Sequence, residues 1–441
     1  MHRIFPKIDF YLLFFKHHPI DPRFTPVGSC SQRKRSQERM TRFLPRFFIL
    51  VTVVIDALGI GLILPVIPNL LVELEGGSIR SAALWGGALT TLFAVMQFLC
   101  GPIIGSLSDR FGRRPVMLMS LLVMSIDCLV TAFAPSIWFV VAARGVAGMA
   151  AATHTTAYAC FADISEEGEE AKNFGLLGAA FGLGFIMGPV VGGLLGQSGP
   201  RAPFLCAGIL AALNMMFGFL VMPETVSAAN RRAFDWKRAN PVGAFLHLGR
   251  MKGMIGLMCV AFINAVAFYV FPSVWAYYSE MNFGWSPAMI GISLSTFGVA
   301  LFIVQGVFIR IIVPKLGEYR TVIIGFAVDI ISFAVIALAT HGWNIFALAP
   351  FSAFGAIAGP ALNGLASQRV HGNEQGELQG LFQSVSAVGM IVGPLIMTTT
   401  FYHFTSPVFP VRFPGAPFAL ASVLQCLALA LFVSLGLRKP S

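Results

Sequence analysis

Long apolar runs alternate with short polar breaks along the chain. From about Arg46 to about Gly436 each run is close to the 20 residues that an α-helix needs to cross a bilayer. The breaks are too short to hold a folded domain. The pattern predicts spans at about 46–73, 83–106, 115–134, 137–162, 172–197 and 202–222, then 253–279, 286–311, 321–340, 343–368, 376–402 and 412–436. This is an all-α membrane protein with twelve transmembrane helices. The longest interior break, about 223–252, parts them six and six. The expected domains are a basic, disordered arm at 1–45, a six-helix bundle at 46–222, a cytoplasmic linker at 223–252 and a second bundle at 253–441.

The two halves read as a pseudo-repeat. Gly175 precedes Gly188-Pro189 as Gly380 precedes Gly393-Pro394, at the same separation. Asp163 stands before Gly175 as Gln368 stands before Gly380, and Gly317-Glu318-Tyr319-Arg320 echoes Gly112-Arg113-Arg114-Pro115. Two related six-helix bundles place a substrate path between them, near the bilayer midplane.

Composition supports the membrane reading. The chain is 56% hydrophobic and 11% charged, against about 25% charged in soluble domains. Its net charge is +10, which raises nucleic acid as a partner, but the distribution argues for the lipid bilayer. Lys and Arg fall in the amino-terminal arm, at 109–115, near Lys172, at 231–252 and 310–320, at Arg369 and at Arg438-Lys439. The alternate breaks hold only Arg80, Arg201 and Arg412. This positive-inside bias places both termini of a multi-pass protein in the cytoplasm; the plasma (inner) membrane is its expected location. The seven cysteines are scattered without paired spacing and read as packing residues. No Walker loop, H-E-x-x-H or serine elbow is present. The chain is therefore expected to be no enzyme, to have no catalytic or metal site, to need no cofactor and to act as a monomer. Residues 1–39 carry Arg33-Lys34-Arg35 and no signal-peptide pattern. Met40-Thr41-Arg42 reads as a start, which leaves 1–39 as an extended start or a basic arm.

Ionisable residues inside the spans carry the candidate chemistry. A charge at a helix centre costs about 2.5–3.5 kcal/mol on insertion scales. Asp56, Asp127 and Asp329 nevertheless lie within spans, and Arg144 lies in span 4. Such groups persist when they face a cavity, pair, or carry protons; plain interhelical contacts are the alternative. Asp56 is the simplest expected partner of Arg144. In span 5, Gly184, Gly188 and Gly192 recur every four residues, with Gly193 beside them and Pro189 to bend the helix. Neutral polar residues that can line the route are Gln97, His154, Asn264, Gln305, Asn363 and Gln383; each can equally be helix–helix glue.

The segment Gly105-Ser106-Leu107-Ser108-Asp109-Arg110-Phe111-Gly112-Arg113-Arg114-Pro115 is a dense charge cluster between spans 2 and 3. It resembles the loop between helices 2 and 3 of the major facilitator superfamily, G-x-x-x-D-R-x-G-R-R. Gly184–Gly193 resembles that superfamily's antiporter signature. Asp56–Pro65, Arg144–Gly148, Phe161–Ser165, Asn173-Phe174-Gly175 and Gly376–Leu381 resemble the tetracycline/proton antiporter group, over about residues 43–436. The resemblance implies twelve helices, alternating access, and export of a small-molecule drug driven by protons. It casts Asp56, Asp127 and Asp329 as the membrane-embedded acids, and Gly105, Asp109, Arg110, Gly112, Arg113 and Arg114 as the gating loop. It also implies tetracycline, chelated to a divalent metal, as a substrate. One departure stands out: Leu301 occupies the place of a typical histidine four residues before Gln305. The same fold allows a proton-coupled or facilitative importer of a sugar or small metabolite as the alternative.

Overall fold

The computed structural model describes residues 29–151, 153–165, 170–226, 231, 254–370, 374–410 and 412–436. All regular structure among them is helical. Eleven helical stretches are long and apolar enough to cross a membrane, and one of these, Pro287–Ala337, is 51 residues long. It holds two spans, because Gly317 interrupts it at φ 75° and ψ 160°. The count among the described residues is therefore twelve. We number them in chain order, from span 1 at Pro45–Ile63 to span 12 at Ala416–Ser434. Residues 1–28, most of the 223–252 linker and the last five residues lie outside the described residues. The helix that carries span 1 begins at Ser29, inside the stretch expected to be a disordered arm.

Local chemistry sets several boundaries. Span 2 (Ile79–Phe111) opens on Ser78, whose hydroxyl accepts from the Ser81 N–H. Span 8 opens on Ser286 with Pro287 in the first turn. Between spans 2 and 3 (Arg113–Phe133) the chain turns on Gly112 at φ 108° and ψ 159°, a conformation that only glycine adopts without strain. Gly317 makes the equivalent turn between spans 8 and 9, so the repeat read from the sequence extends to backbone geometry. Side chains repeat it as well. Arg113 bonds Asp163 fifty positions on, and Gln368 bonds Glu318 across the same 50-residue separation.

Spans 1, 4, 7 and 10 are each broken, which the apolar pattern alone did not indicate. Span 1 resumes as Ile67–Glu75, past Pro65. Span 4 is Ile137–Ala150 and Thr153–Ile164, span 7 is Met254–Phe268 and Val270–Phe283, and span 10 is Gly342–Gly355 and Ala358–Ser367. Backbone groups released by such breaks need other partners. At the span 4 break the Ala151 carbonyl accepts from Gln97 Nε2 at 3.4 Å. The four broken spans hold corresponding positions in the two halves, as expected of a path built from discontinuous helices.

The halves are joined at one end. At the end away from the Gly105–Pro115 loop, one apolar core crosses between them, with Leu71, Ala82 and Leu89 packed alongside Val270, Tyr278 and Phe401. At the loop end each half has its own core, around Phe48, Met117 and Phe161 in the first and around Leu257, Phe326 and Leu362 in the second. Span 5 (Glu170–Leu195) packs antiparallel on span 8, and span 2 on span 11 (Gln375–Phe404). Gly193 abuts the Pro287 carbonyl, Gly291 the Pro189 carbonyl and Gly87 the Thr398 side chain. Thr91 Oγ1 donates to the Ile391 carbonyl at 2.9 Å, and the Arg80 guanidinium lies 4.0 Å over the Tyr402 ring. Toward the loop end these contacts stop. Gly101, Gly105, Gly178, Gly306, Gly376 and Gly380 have nothing within 4 Å of where a Cβ would stand.

Candidate functional site

Spans 3 and 4 form an antiparallel hairpin through the turn Ala134–Ser136. Residues equally far from such a turn come level with each other. Asp127 and Arg144 stand nearly equally far from it, and Arg144 Nη2 lies 3.4 Å from Asp127 Oδ2. Asp127 is 4% exposed, and its other oxygen has no hydrogen-bond partner among the described residues. This corrects the expected Arg144–Asp56 pairing: the hairpin, which sequence depth alone ignored, selects Asp127.

Asp56 makes no hydrogen bond or ion pair among the described residues, and it is half-buried. The glycine face of span 5 lies against its helix. A methyl group at Gly184 would collide with Val54 and Ala57, one at Gly188 with Leu58 and Gly61, and one at Gly192 with Leu62. Span 1 is thus the close neighbour that the four-residue glycine spacing called for. Gly193 and the Pro189 carbonyl serve span 8 instead. One glycine-rich helix therefore holds the turn carrying Asp56 and touches the other half.

The second half has its own acid. Asp329 in span 9 accepts from Gln425 Nε2 of span 12 at 3.2 Å, and the same nitrogen donates to Asn264 Oδ1 of span 7 at 2.8 Å. Asp329 Oδ1 rests against Gly355, where any side chain would collide with it. Gln425 was missed from the sequence, although a lone amide in the otherwise apolar run Ala416–Ser434 was a readable signal.

The loop residues form one cluster. Arg113 Nη1 lies 2.6 Å from Asp109 Oδ1, and Arg113 Nε lies 3.3 Å from Asp163 Oδ2. Arg113 Nη1 also donates to Ser108 Oγ at 3.2 Å. Thr225 Oγ1 donates to Asp163 Oδ2 at 3.0 Å. Glu224, which the sequence reading passed over, accepts from the Arg113 N–H at 2.8 Å and so caps span 3 at its N-terminus. Its carboxylate fills the space where a Gly112 side chain would go. Arg114 Nη2 donates to the Phe219 carbonyl at 2.6 Å, anchoring span 6. Arg110 instead lies over the Phe111 ring. Gly105 is unobstructed.

The polar candidates divide. Gln97 is committed to the span 4 break and Asn264 to Gln425. Asn363 and Gln379 exchange amide hydrogen bonds at 3.0 and 3.3 Å. Gln305 sits in a π-helical turn, Val304–Phe308, a distortion often found at functional positions. Gln305 and Gln383 are exposed and make no hydrogen bond among the described residues. The His154 side chain lies outside the described residues. No group of His, Cys, Asp and Glu suited to a metal occurs among the described residues.

Comparison with known proteins decides the family. The family model for the Major Facilitator Superfamily matches residues 49–394. The chain belongs to the Major Facilitator Superfamily. It is a transporter and not an enzyme. It is 40% identical over 353 residues to the class C tetracycline resistance protein of Escherichia coli, covering 80% of this chain and 88% of that protein. The class D protein of Salmonella ordonez is 33% identical over 397 residues, covering 90% and 98%. Among solved structures, a bacterial homologue of the human lysosomal transporter Spinster superposes with a TM-score of 0.73 at 16% identity, covering 91% of this chain and 99% of that one. That likeness concerns the fold. This superfamily member is thus a multi-pass membrane protein of two six-helix bundles.

Proposed function

We propose that the protein exports a drug-like compound across the inner membrane in exchange for protons, as a monomer, by alternating access. The observation that carries the reading is the one-sided join between the halves: a shared core at one end, separate cores at the other, and carboxyl groups within the bundles. The Lys/Arg bias puts the loop end and both termini in the cytoplasm, so this conformation is open to the cell interior. A carboxylate must be neutralised before a low-dielectric path closes over it. Arg144 does this for Asp127. Among the described residues Asp56 and Asp329 have no cation beside them, and a proton does it for them. Loading a proton from outside and releasing it inside then alternates with drug moving the other way.

The tetracycline resistance relatives support a drug substrate, and tetracycline leaving as a chelate with a divalent cation is one candidate. Leu301, apolar where a histidine is typical, means that proton relay at that position differs and argues against tetracycline itself, while the general antiporter reading stands. The test is a drug-sensitive host expressing the protein, compared across chemically varied compounds with and without Asp56→Asn. Resistance that disappears with Asp56→Asn supports the reading. Unchanged susceptibility to every compound contradicts it.

A further inference from the structure

We propose that Gln425 is a positioning residue that transmits the charge state of Asp329 to span 7 through Asn264. The inference rests on the reading of Asp329 as a proton-carrying group.

Three spans meet at one amide. Gln425 is 0% exposed. Its Nε2 is shared between Asp329 Oδ2 at 3.2 Å and Asn264 Oδ1 at 2.8 Å. This is the only hydrogen bond that Asp329 makes among the described residues. The Gln425 Oε1 atom is buried and has no hydrogen-bond partner among the described residues. An unsatisfied buried acceptor costs free energy, so little beyond its two donated hydrogen bonds holds the Gln425 amide in this orientation.

Protonation of Asp329 favours the other. An ionised carboxylate only accepts, and it takes the Gln425 N–H. A protonated carboxyl also donates. A half-turn of the Gln425 amide then puts Oε1 where Nε2 stands, to receive the carboxyl O–H. Oε1 then also faces Asn264, whose own amide turns to donate from Nδ2. Each charge state of Asp329 is thus matched by one orientation of two amides. The proton comes from water in the path and returns to it, and only the carboxyl O–H bond forms and breaks.

The surroundings leave Asp329 without competing charge. Spans 10 and 12 and the Met254–Phe268 part of span 7 contain no Asp, Glu, Lys, Arg or His, and Cys259 and Cys426 in them are exposed. Span 8 as far as Phe308 has no charged residue. The end of span 8 carries Arg310 and Lys315, and span 9 carries Glu318, Tyr319 and Arg320 only at its loop-end start. Span 11, which packs on span 7, has Glu377 in its first turn and His403 in its last.

The far side of span 7 leads to the other half. Asn264 stands just before the break at Tyr269. Beyond the break, the Tyr277 ring meets Gly86. Tyr278 is also buried there, in the core shared by both halves. Glu280 accepts from the Asn69 amide at 2.8 Å, with that amide turned toward it. An amide turn at Asn264 therefore acts next to the helix segment that joins the halves.

The experiment measures the pH dependence of drug/proton exchange in reconstituted vesicles for the full chain, Gln425→Leu, Gln425→Glu, Asp329→Asn and the double variant Asp329→Asn/Gln425→Leu. Gln425→Leu takes away the partner of both charge states, and because the charge-assisted bond to the ionised form is the stronger, the pH of half-maximal exchange is expected to rise by about one unit. In the Asp329→Asn background the same substitution is expected to change nothing further. An unmoved midpoint in an inserted Gln425→Leu protein, or an equal effect in both backgrounds, overturns the proposal. If Gln425→Leu does not insert, the near-isosteric Gln425→Glu serves. It places a second carboxyl on the first, so its midpoint also rises, and an unmoved one overturns the proposal. Wild-type pH dependence in Asp329→Asn would remove the underlying reading of Asp329 instead, whatever Gln425 does.

Discussion

Arg144 stands beside Asp127, Nη2 to Oδ2 at 3.4 Å, while Asp56 has no cation beside it among the described residues. The three interior acids are therefore not equivalent. Breaking a buried pair by removing one partner costs about 3–5 kcal/mol, because the remaining charge is left uncompensated. Arg144→Ala is expected to lower both the unfolding temperature and the folded yield. Arg144→Ala/Asp127→Ala, which removes both charges, is expected to recover much of the loss. Thermal unfolding of the purified variants checks this; equal instability in the single and double variants would contradict the pairing.

Asp56→Asn is expected to behave in the opposite way. No counter-charge is stranded, so insertion and unfolding temperature stay near wild type while export stops. Measuring protein level and drug efflux in the same cells separates the two effects.

Gly112 is the sharp turn between spans 2 and 3. At φ 108° and ψ 159° it occupies a region reserved for glycine, where another residue costs about 1–3 kcal/mol. The Glu224 carboxylate also fills the side-chain position. Gly112→Ala is expected to destabilise the protein by at least that amount. Gly105→Ala, with open space around it, is expected to leave thermal stability nearly unchanged. A comparison of unfolding curves tests the difference.

The joined end gives a register for the open one. Spans 5 and 8 and spans 2 and 11 run antiparallel, with Thr91 at Ile391 and Gly182 at Phe302 near the limit of contact. Continued along the helices, the same registers bring Gly101 opposite Gly380 and Gly178 opposite Gly306. Paired Gly101→Cys and Gly380→Cys substitutions are expected to cross-link only when the loop end closes. Paired Thr91→Cys and Ile391→Cys substitutions are expected to cross-link in the conformation described. Protection of the first pair by an imposed proton gradient, read on gels, checks the sign of the motion.

Much of this was legible in the residues. Apolar run length gave twelve spans, and Gly112 and Gly317 marked equivalent turns before their backbone angles were known. The Asp127–Arg144 pair was legible too, once spans 3 and 4 are drawn as a hairpin about Ala134–Ser136; depth counted from the loop alone pointed to Asp56. The breaks in spans 4, 7 and 10 were not legible, because no proline stands in the links Ala151–Ala152, Tyr269 or Ala356–Ile357 and tertiary packing decides them. Nor was the choice of open end, since glycines line both ends of spans 2, 5, 8 and 11. Glu224 escaped notice because its role depends on span 6 bringing it back to Gly112.

Proton-driven exchange by interior carboxyl groups is tested most directly in vesicles containing the purified protein and a fluorescent drug under an imposed pH gradient. The account predicts uphill drug movement with protons flowing the other way, abolished when the gradient is dissipated and absent in Asp56→Asn. Uphill movement that persists without the gradient, or at full rate in Asp56→Asn, would contradict it.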